Sequence, residues 1–158
     1  MTETKSTSKR TSAARNSAKV WTDEERAAMQ ESARERKTAS RRGSADERTE
    51  GERAIRVKIA EMPEPDRGLA ERIHALVTDT APSLVPKTYY GMPAYAKDGK
   101  VVCFFKPASK FKERYSTFGF EQAARIDDGE MWPVAFALTE VTPAAEARIA
   151  GLVKNAVG

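Results

Sequence analysis

Asp98-Gly99 sits between Met92-Pro93-Ala94-Tyr95-Ala96-Lys97 and Lys100-Val101-Val102-Cys103-Phe104-Phe105, and no other pair in the chain constrains the fold as much. A two-residue type I′ turn needs φ > 0 at both central positions, a demand that Asp-Gly meets with little strain. The pair therefore predicts a hairpin of fixed register. Lys97 should oppose Lys100, Ala96 Val101, Tyr95 Val102, Ala94 Cys103, Pro93 Phe104 and Met92 Phe105. Because side chains alternate, one face should carry Ala94, Ala96, Val101, Cys103 and Phe105, and the other Tyr95, Lys97, Lys100, Val102 and Phe104. The first set is apolar throughout and is expected to lie under helices. The second mixes lysines with aromatics, so it is expected to be half wet and is the first choice for a binding surface.

The residues just before the hairpin sharpen that choice. Gly91 permits φ > 0 or a close backbone approach, Met92 is pushed extended by the proline after it, and Pro93 has a locked φ. Together they predict a rigid corner that positions Tyr90 and Tyr95. The candidate ligand-binding residues are Tyr90, Met92, Pro93, Tyr95, Phe104 and Lys106. Read functionally, they form an aromatic wall for a small or cationic ligand. Read structurally, they are a strand kink with tyrosines packed beside it.

The rest of the chain is divided by its apolar content. Trp21 is the only aromatic residue before position 54, so the residues able to build a core lie in 54–158. Ile55, Ile59 and Met62 keep helical spacing, and Met62-Pro63-Glu64-Pro65 ends that helix. A second helix carries Leu69, Ile73, Leu76 and Val77 on one face. After the hairpin, Tyr115–Phe120 and Val134–Leu138 read as strands. Thr142 then caps a last helix with Pro143 at its first position and Ala145, Ile149, Leu152, Val153 and Ala156 as the buried stripe. Two helices, several strands and a helix predict a two-layer α+β fold, with the helices on one face of a small, mainly antiparallel sheet.

Ahead of that domain, 1–20 carry five lysines and arginines against one acid, while 54–158 are nearly balanced. The predicted organisation is a disordered basic tail over 1–20, a capped polar helical extension over 21–42, a linker over 43–51 and the α+β domain over 52–158. The extension opens on Thr22-Asp23-Glu24-Glu25, a capping box. It holds Glu31 and Glu35 at i,i+4, a like-charge pair that weakens an isolated helix. No apolar run is long enough to span a membrane and the N-terminus lacks a secretory apolar region, so cytoplasmic residence is the default expectation. Nucleic acid, the least favoured partner of the folded domain, is expected to be met by the basic tail over 1–20 together with the Lys106–Arg114 loop.

The chemistry-bearing patterns are few. Gly-x-Ser-x-Gly, His-Glu-x-x-His, Cys-x-x-Cys and phosphate-binding glycine loops are all missing, which points away from an enzyme. His74 reads as a helix residue at the margin of the apolar stripe, and Cys103 as a buried, inert thiol. Asp127, Asp128 and Glu130 around Gly129 offer hard oxygen ligands to a cation and are the candidate metal site.

Pro86-Lys87-Thr88-Tyr89-Tyr90-Gly91-Met92-Pro93-Ala94-Tyr95, followed by Gly99-Lys100-Val101-Val102-Cys103-Phe104-Phe105, resembles the YdhG-like family of domains of unknown function. Tyr-Gly-Met-Pro-Ala-Tyr is the most recognisable part. The helix ending at Ala81-Pro82 and the closing helix also fit, so the resemblance spans about residues 54–158. It implies a small α+β domain, and because some members are described as frataxin-like intracellular iron chaperones, it implies iron as a cargo. It carries no ligand set over to particular residues. The expected function is a non-enzymatic binding domain. Its partner would be iron, a small molecule or peptide on the aromatic face, or a nucleic acid at the tail.

Overall fold

The computed structural model describes residues 21–39 and 44–158; the basic tail expected over 1–20 lies outside them. Helices α1 (Asp23–Ala39), α2 (Ser44–Glu61) and α3 (Asp66–Thr80) come first. They are followed by strands β1 (Val85–Tyr89), β2 (Met92–Lys97) and β3 (Lys100–Lys106), and a short helix α4 (Ala108–Phe111). Strands β4 (Ser116–Phe120) and β5 (Ala135–Leu138) and helix α5 (Pro143–Val157) complete the order. The five strands form one antiparallel sheet in sequence order. Helices α2, α3 and α5 cover one face and share a core with it, built from Ile55, Ile73, Val77, Phe105, Phe118 and Val153. The fold is the expected two-layer α+β arrangement.

Both ends of the chain's helical set are capped as the sequence requires. The Glu25 N–H donates to Thr22 Oγ1 at 3.1 Å, and the Ala145 N–H donates to Thr142 Oγ1 at 3.1 Å. At the far end of α5, Lys97 Nζ and the Arg125 N–H each donate at 2.9 Å to the carbonyls of Val157 and Ala156. These are last-turn carbonyls that the helix itself leaves unsatisfied.

The linker expected over 43–51 is not one. From Ser44 onward these residues are the first turns of α2, so the domain starts earlier than Glu52. The segment lacks an apolar stripe because other contacts hold it. Arg48 Nη1 donates to the carbonyls of Pro82 (3.0 Å) and Leu84 (3.3 Å), which ties α2 to the end of α3. One turn later Gly51 lies against β1, where a Cβ would come within 1.8 Å of the Pro86 carbonyl oxygen. Charged residues and a glycine thus do the packing that aliphatic residues do elsewhere.

The hairpin differs from expectation in one step. Lys97 opposes Lys100 and Ala96 opposes Val101, as the turn dictates, but a bulge between Tyr95 and Ala96 then shifts the register. Tyr95 opposes Cys103 and Ala94 opposes Phe104, leaving Val102 as the extra residue. A one-residue slip exchanges the faces. Tyr95 therefore joins Cys103 and Phe105 beneath the helices, 1% exposed, while Phe104 stays on the opposite face. The expected mixed face with Tyr95 and Phe104 side by side does not exist. The opposite face carries half-buried Tyr89, Phe104 and Thr117 and exposed Ala135 and Ala137. The corner expected at Gly91-Met92-Pro93 is a second two-residue hairpin, with Tyr90 (φ 51°) and Gly91 (φ 75°) at its centre and Tyr89 opposite Met92. Tyrosine seldom takes positive φ, so the composition did not announce that turn.

Alanine ordinarily stabilises a helix over glycine by up to about 1 kcal/mol. At Gly51 the sign should reverse. Gly51→Ala is expected to destabilise by about 1–3 kcal/mol, as overpacking does. Gly151→Ala in α5, where a Cβ meets nothing within 4 Å, should stabilise by up to about 1 kcal/mol. Urea denaturation midpoints of the two variants check both signs.

Candidate functional site

Two polar constellations stand out, and each follows from a local feature of the backbone. The first begins with the bulge. By turning Tyr95 toward the helices it places the phenol oxygen 2.9 Å from Nδ1 of His74 on α3, while Nε2 of His74 lies 2.8 Å from Glu52 Oε1 on α2. Arg56 Nε donates to the same Glu52 oxygen at 2.9 Å. An ionised Glu52 can only accept, so His74 donates from Nε2, and in the neutral ring Nδ1 accepts from Tyr95. Burial, then Cys103 and Glu52 nearby, hold the Tyr95 phenol well above its ordinary value, so it remains protonated. Burial also pushes the Cys103 thiol up to about 12, which disfavours the thiolate that a nucleophile or metal ligand needs.

This chain of groups runs from the sheet out to a cleft of about 580 Å³ between α2 and α3, walled by Glu52, Arg56, Ile59, Glu71, His74 and Asp79. It fixes the angle at which two helices meet the sheet. Its buried polar atoms are all matched, as low dielectric demands.

The second constellation sits at the β1–β2 turn. Positive φ at Tyr90 and Gly91 turns two successive N–H groups to one side, a concavity suited to an anion. The occupant is the carboxylate of Glu35 on α1. Oε2 accepts from Tyr90 and Oε1 from Gly91, each at 3.0 Å. One turn earlier on α1, Glu31 lies 2.9 Å from Lys110 Nζ and 3.2 Å from Lys58 Nζ. Two turns before that, Glu24 pairs with Lys112. Glycine suits position 91 because its φ is positive, and a Cβ there, 2.1 Å from Glu31 Oε2, would displace that carboxylate.

The electrostatics of the two glutamates differ. Burial raises the Glu35 carboxyl above its ordinary value; the amide hydrogen bonds work against this and the Glu31 charge adds to it. Burial pushes Glu31 the same way, but Lys110 and Lys58 outweigh it and the group ends below its ordinary value. Beside them a cavity of about 420 Å³ remains between α1 and α2, bounded by Arg34, Glu35, Ala54, Val57, Lys58 and Lys87.

The six predicted ligand residues are dispersed. Tyr90 lies at the cradle, contributing its amide, with its ring edge-on to Tyr89 at 4.6 Å. Met92 and Pro93 are buried. Tyr95 is under the helices, bonded to His74. Phe104 lies on the opposite face, 6.2 Å from the Tyr89 ring and across Gly119. Lys106 pairs with Glu113 and sits 4.9 Å over the Phe111 ring.

Asp127, Asp128 and Glu130 are all exposed on the loop between β4 and β5. Among the described residues no group of three or more His, Cys, Asp or Glu is placed to hold a metal ion, so the expected metal site is not formed. The Lys106–Arg114 segment, expected as a nucleic-acid grip, has Lys106, Lys110 and Lys112 committed to carboxylates.

The residues that reasoning from sequence missed are Glu31, Glu35, Lys58, Lys110 and Glu52. One signal was available: α1 keeps two carboxylates at i,i+4 against its own stability, which makes sense only if cations and amides receive them. No helix among the described residues is long and apolar enough to cross a membrane. The chain matches no family model, no curated protein and no solved structure.

Removing the Tyr95 hydroxyl leaves Nδ1 of His74 buried without its partner, at a cost of about 1–3 kcal/mol. Tyr95→Phe should lose that much stability in urea denaturation, with secondary structure unchanged. For Glu52, burial alone would raise the carboxyl, but His74 and Arg56 bring it below its ordinary value of 4.5. Its contribution is therefore fully present above pH 4.5 and is lost as pH falls through the lower folded-state value. Glu52→Gln should flatten the acid limb of the stability curve below pH 4.5; an unchanged limb would show that Glu52 contributes nothing there.

Proposed function

We propose that this chain is a non-enzymatic binding domain that recognises a carboxylate or phosphate group in the cradle formed by the Tyr90 and Gly91 amides with Lys58 and Lys110. One observation carries the reading. A single carboxylate, Glu35, spans two successive amides at equal distances, and the carboxylate one turn earlier, Glu31, is held between two lysines. Backbone amides on a tight turn are preorganised and cost little to aim, and charge-assisted bonds to them are about twice as strong as neutral ones.

The reading keeps the part of the YdhG-like resemblance centred on Tyr90-Gly91-Met92-Pro93, since that turn is the cradle's frame. The iron reading that came with the resemblance draws no support from geometry. Its acids, Asp127, Asp128 and Glu130, stand exposed and ungathered. Binding also needs none of the nucleophiles or acid–base pairs that catalysis requires, and Cys103 is unsuited to that work.

The test uses the full chain carrying Glu31→Ala and Glu35→Ala, which empties the cradle. Succinate and inorganic phosphate are then titrated in while the amide resonances of Tyr90 and Gly91 are followed. Saturable shifts with a dissociation constant of about 1 mM, worth about 4 kcal/mol, are expected. They should be lost when Lys58→Ala and Lys110→Ala are added. Amides that do not move with either anion would refute the reading.

A further inference from the structure

We infer that α1 is a displaceable internal ligand, and that the cradle's external partner is an acidic helix of another protein with carboxylates spaced like Glu24, Glu31 and Glu35. This rests on the cradle reading and names its partner. Spacings of 7 and 11 residues are close to two and three turns, so the three carboxylates share one face of α1. They meet Lys112, then Lys110 with Lys58, then the Tyr90 and Gly91 amides. The surface therefore reads a linear pattern of acids on a helix.

Three observations distinguish α1 from the other long helices. First, it is held with little apolar burial. Among its described side chains Ala28 and Ser32 are buried, whereas Met29 is 36% exposed and Trp21, just before it, 51%. Second, the carboxylates of Glu24, Glu31 and Glu35 tie it to Lys112, to Lys110 with Lys58 and to the turn amides, contacts that a competing carboxylate can take over one for one. Third, it fits imperfectly: the cavity of about 420 Å³ lies between α1 and α2, and Val57 on its wall is 52% exposed. A helix with the same three acids and an aliphatic side chain over Val57 and Ala54 would make the same ion pairs and amide bonds and close that space as well. Charge complementarity selects the acidic face, and the cavity favours a helix more apolar than α1.

The probe is a fluorescent peptide copying residues 21–39 with Arg34→Leu, since Arg34 borders the cavity. It is titrated with the full chain and with the full chain carrying Glu31→Ala and Glu35→Ala. An internal competitor that fills the cradle nine-tenths of the time lowers apparent affinity by about tenfold. The peptide should therefore bind the substituted chain about tenfold or more tightly than the unsubstituted one. A peptide with Gln in place of its three glutamates should not bind, nor should the original peptide bind chains that also carry Lys58→Ala and Lys110→Ala. Melting of each chain by circular dichroism confirms that it is folded.

Equal affinity for the two chains would overturn the inference, because α1 would not be competing. Failure of the peptide to bind where succinate still shifts Tyr90 and Gly91 would sink the helical partner and leave the cradle standing. Failure of both would remove the cradle itself. Sedimentation showing concentration-dependent dimers, abolished by Glu31→Ala and Glu35→Ala, would identify the occupant as α1 of a second copy and overturn the external partner.

Discussion

One extra residue in β3 decides which way Tyr95 points, and much of the domain depends on that choice. Without the bulge at Val102, Tyr95 would face away from the helices and His74 would be buried without its phenol partner. With it, a strand, α3 and α2 are joined through Tyr95, His74 and Glu52. Hydrophobic burial is non-directional and tolerates helices that slide or rotate by a few degrees. A matched polar chain crossing the layer boundary does not, because each displaced atom would be left buried without a partner. The bulge thus converts a generic two-layer packing into one orientation.

That same residue marks the boundary of what was legible. The second half of α2, α3 and α5, the Asp98-Gly99 turn, the Thr22 and Thr142 caps and the layer arrangement all followed from spacing, since they are local or depend on a repeating pattern. The hairpin pairing could be read for two steps only. A bulge is set by what lies above the strand, here His74, and Val102 looks like any other strand residue. The polar half of α2 was missed for a related reason. Arg48 and Gly51 pack by guanidinium bonds to carbonyls and by close approach, and neither leaves an apolar stripe.

The candidate site was legible in fragments. Tyr90 and Gly91 were singled out, but for ring and corner rather than for their amides. Amide direction depends on φ, which Tyr90 does not advertise. Glu31 and Glu35 were visible as an unfavourable pair, and their recipients are 27 to 79 positions away along the chain. Asp127, Asp128 and Glu130 make the converse point: adjacency in sequence placed three acids together, and an extended loop holds them all in solvent. The difference between the two acidic groups is whether cations and amides face them.

Cys103 gives the molecule one further property. The chain's only thiol is fully buried beside Tyr95, and burial alone keeps it protonated far above neutral pH. Thiol reagents act on the thiolate and need access, so the native sheet protects it twice. Its modification rate should then count how often the central strands come apart, rather than how often α1 lifts off or a terminus frays. The protein carries its own chemical clock for opening of the core, and binding at the cradle, in the β1–β2 turn, can be followed without disturbing it.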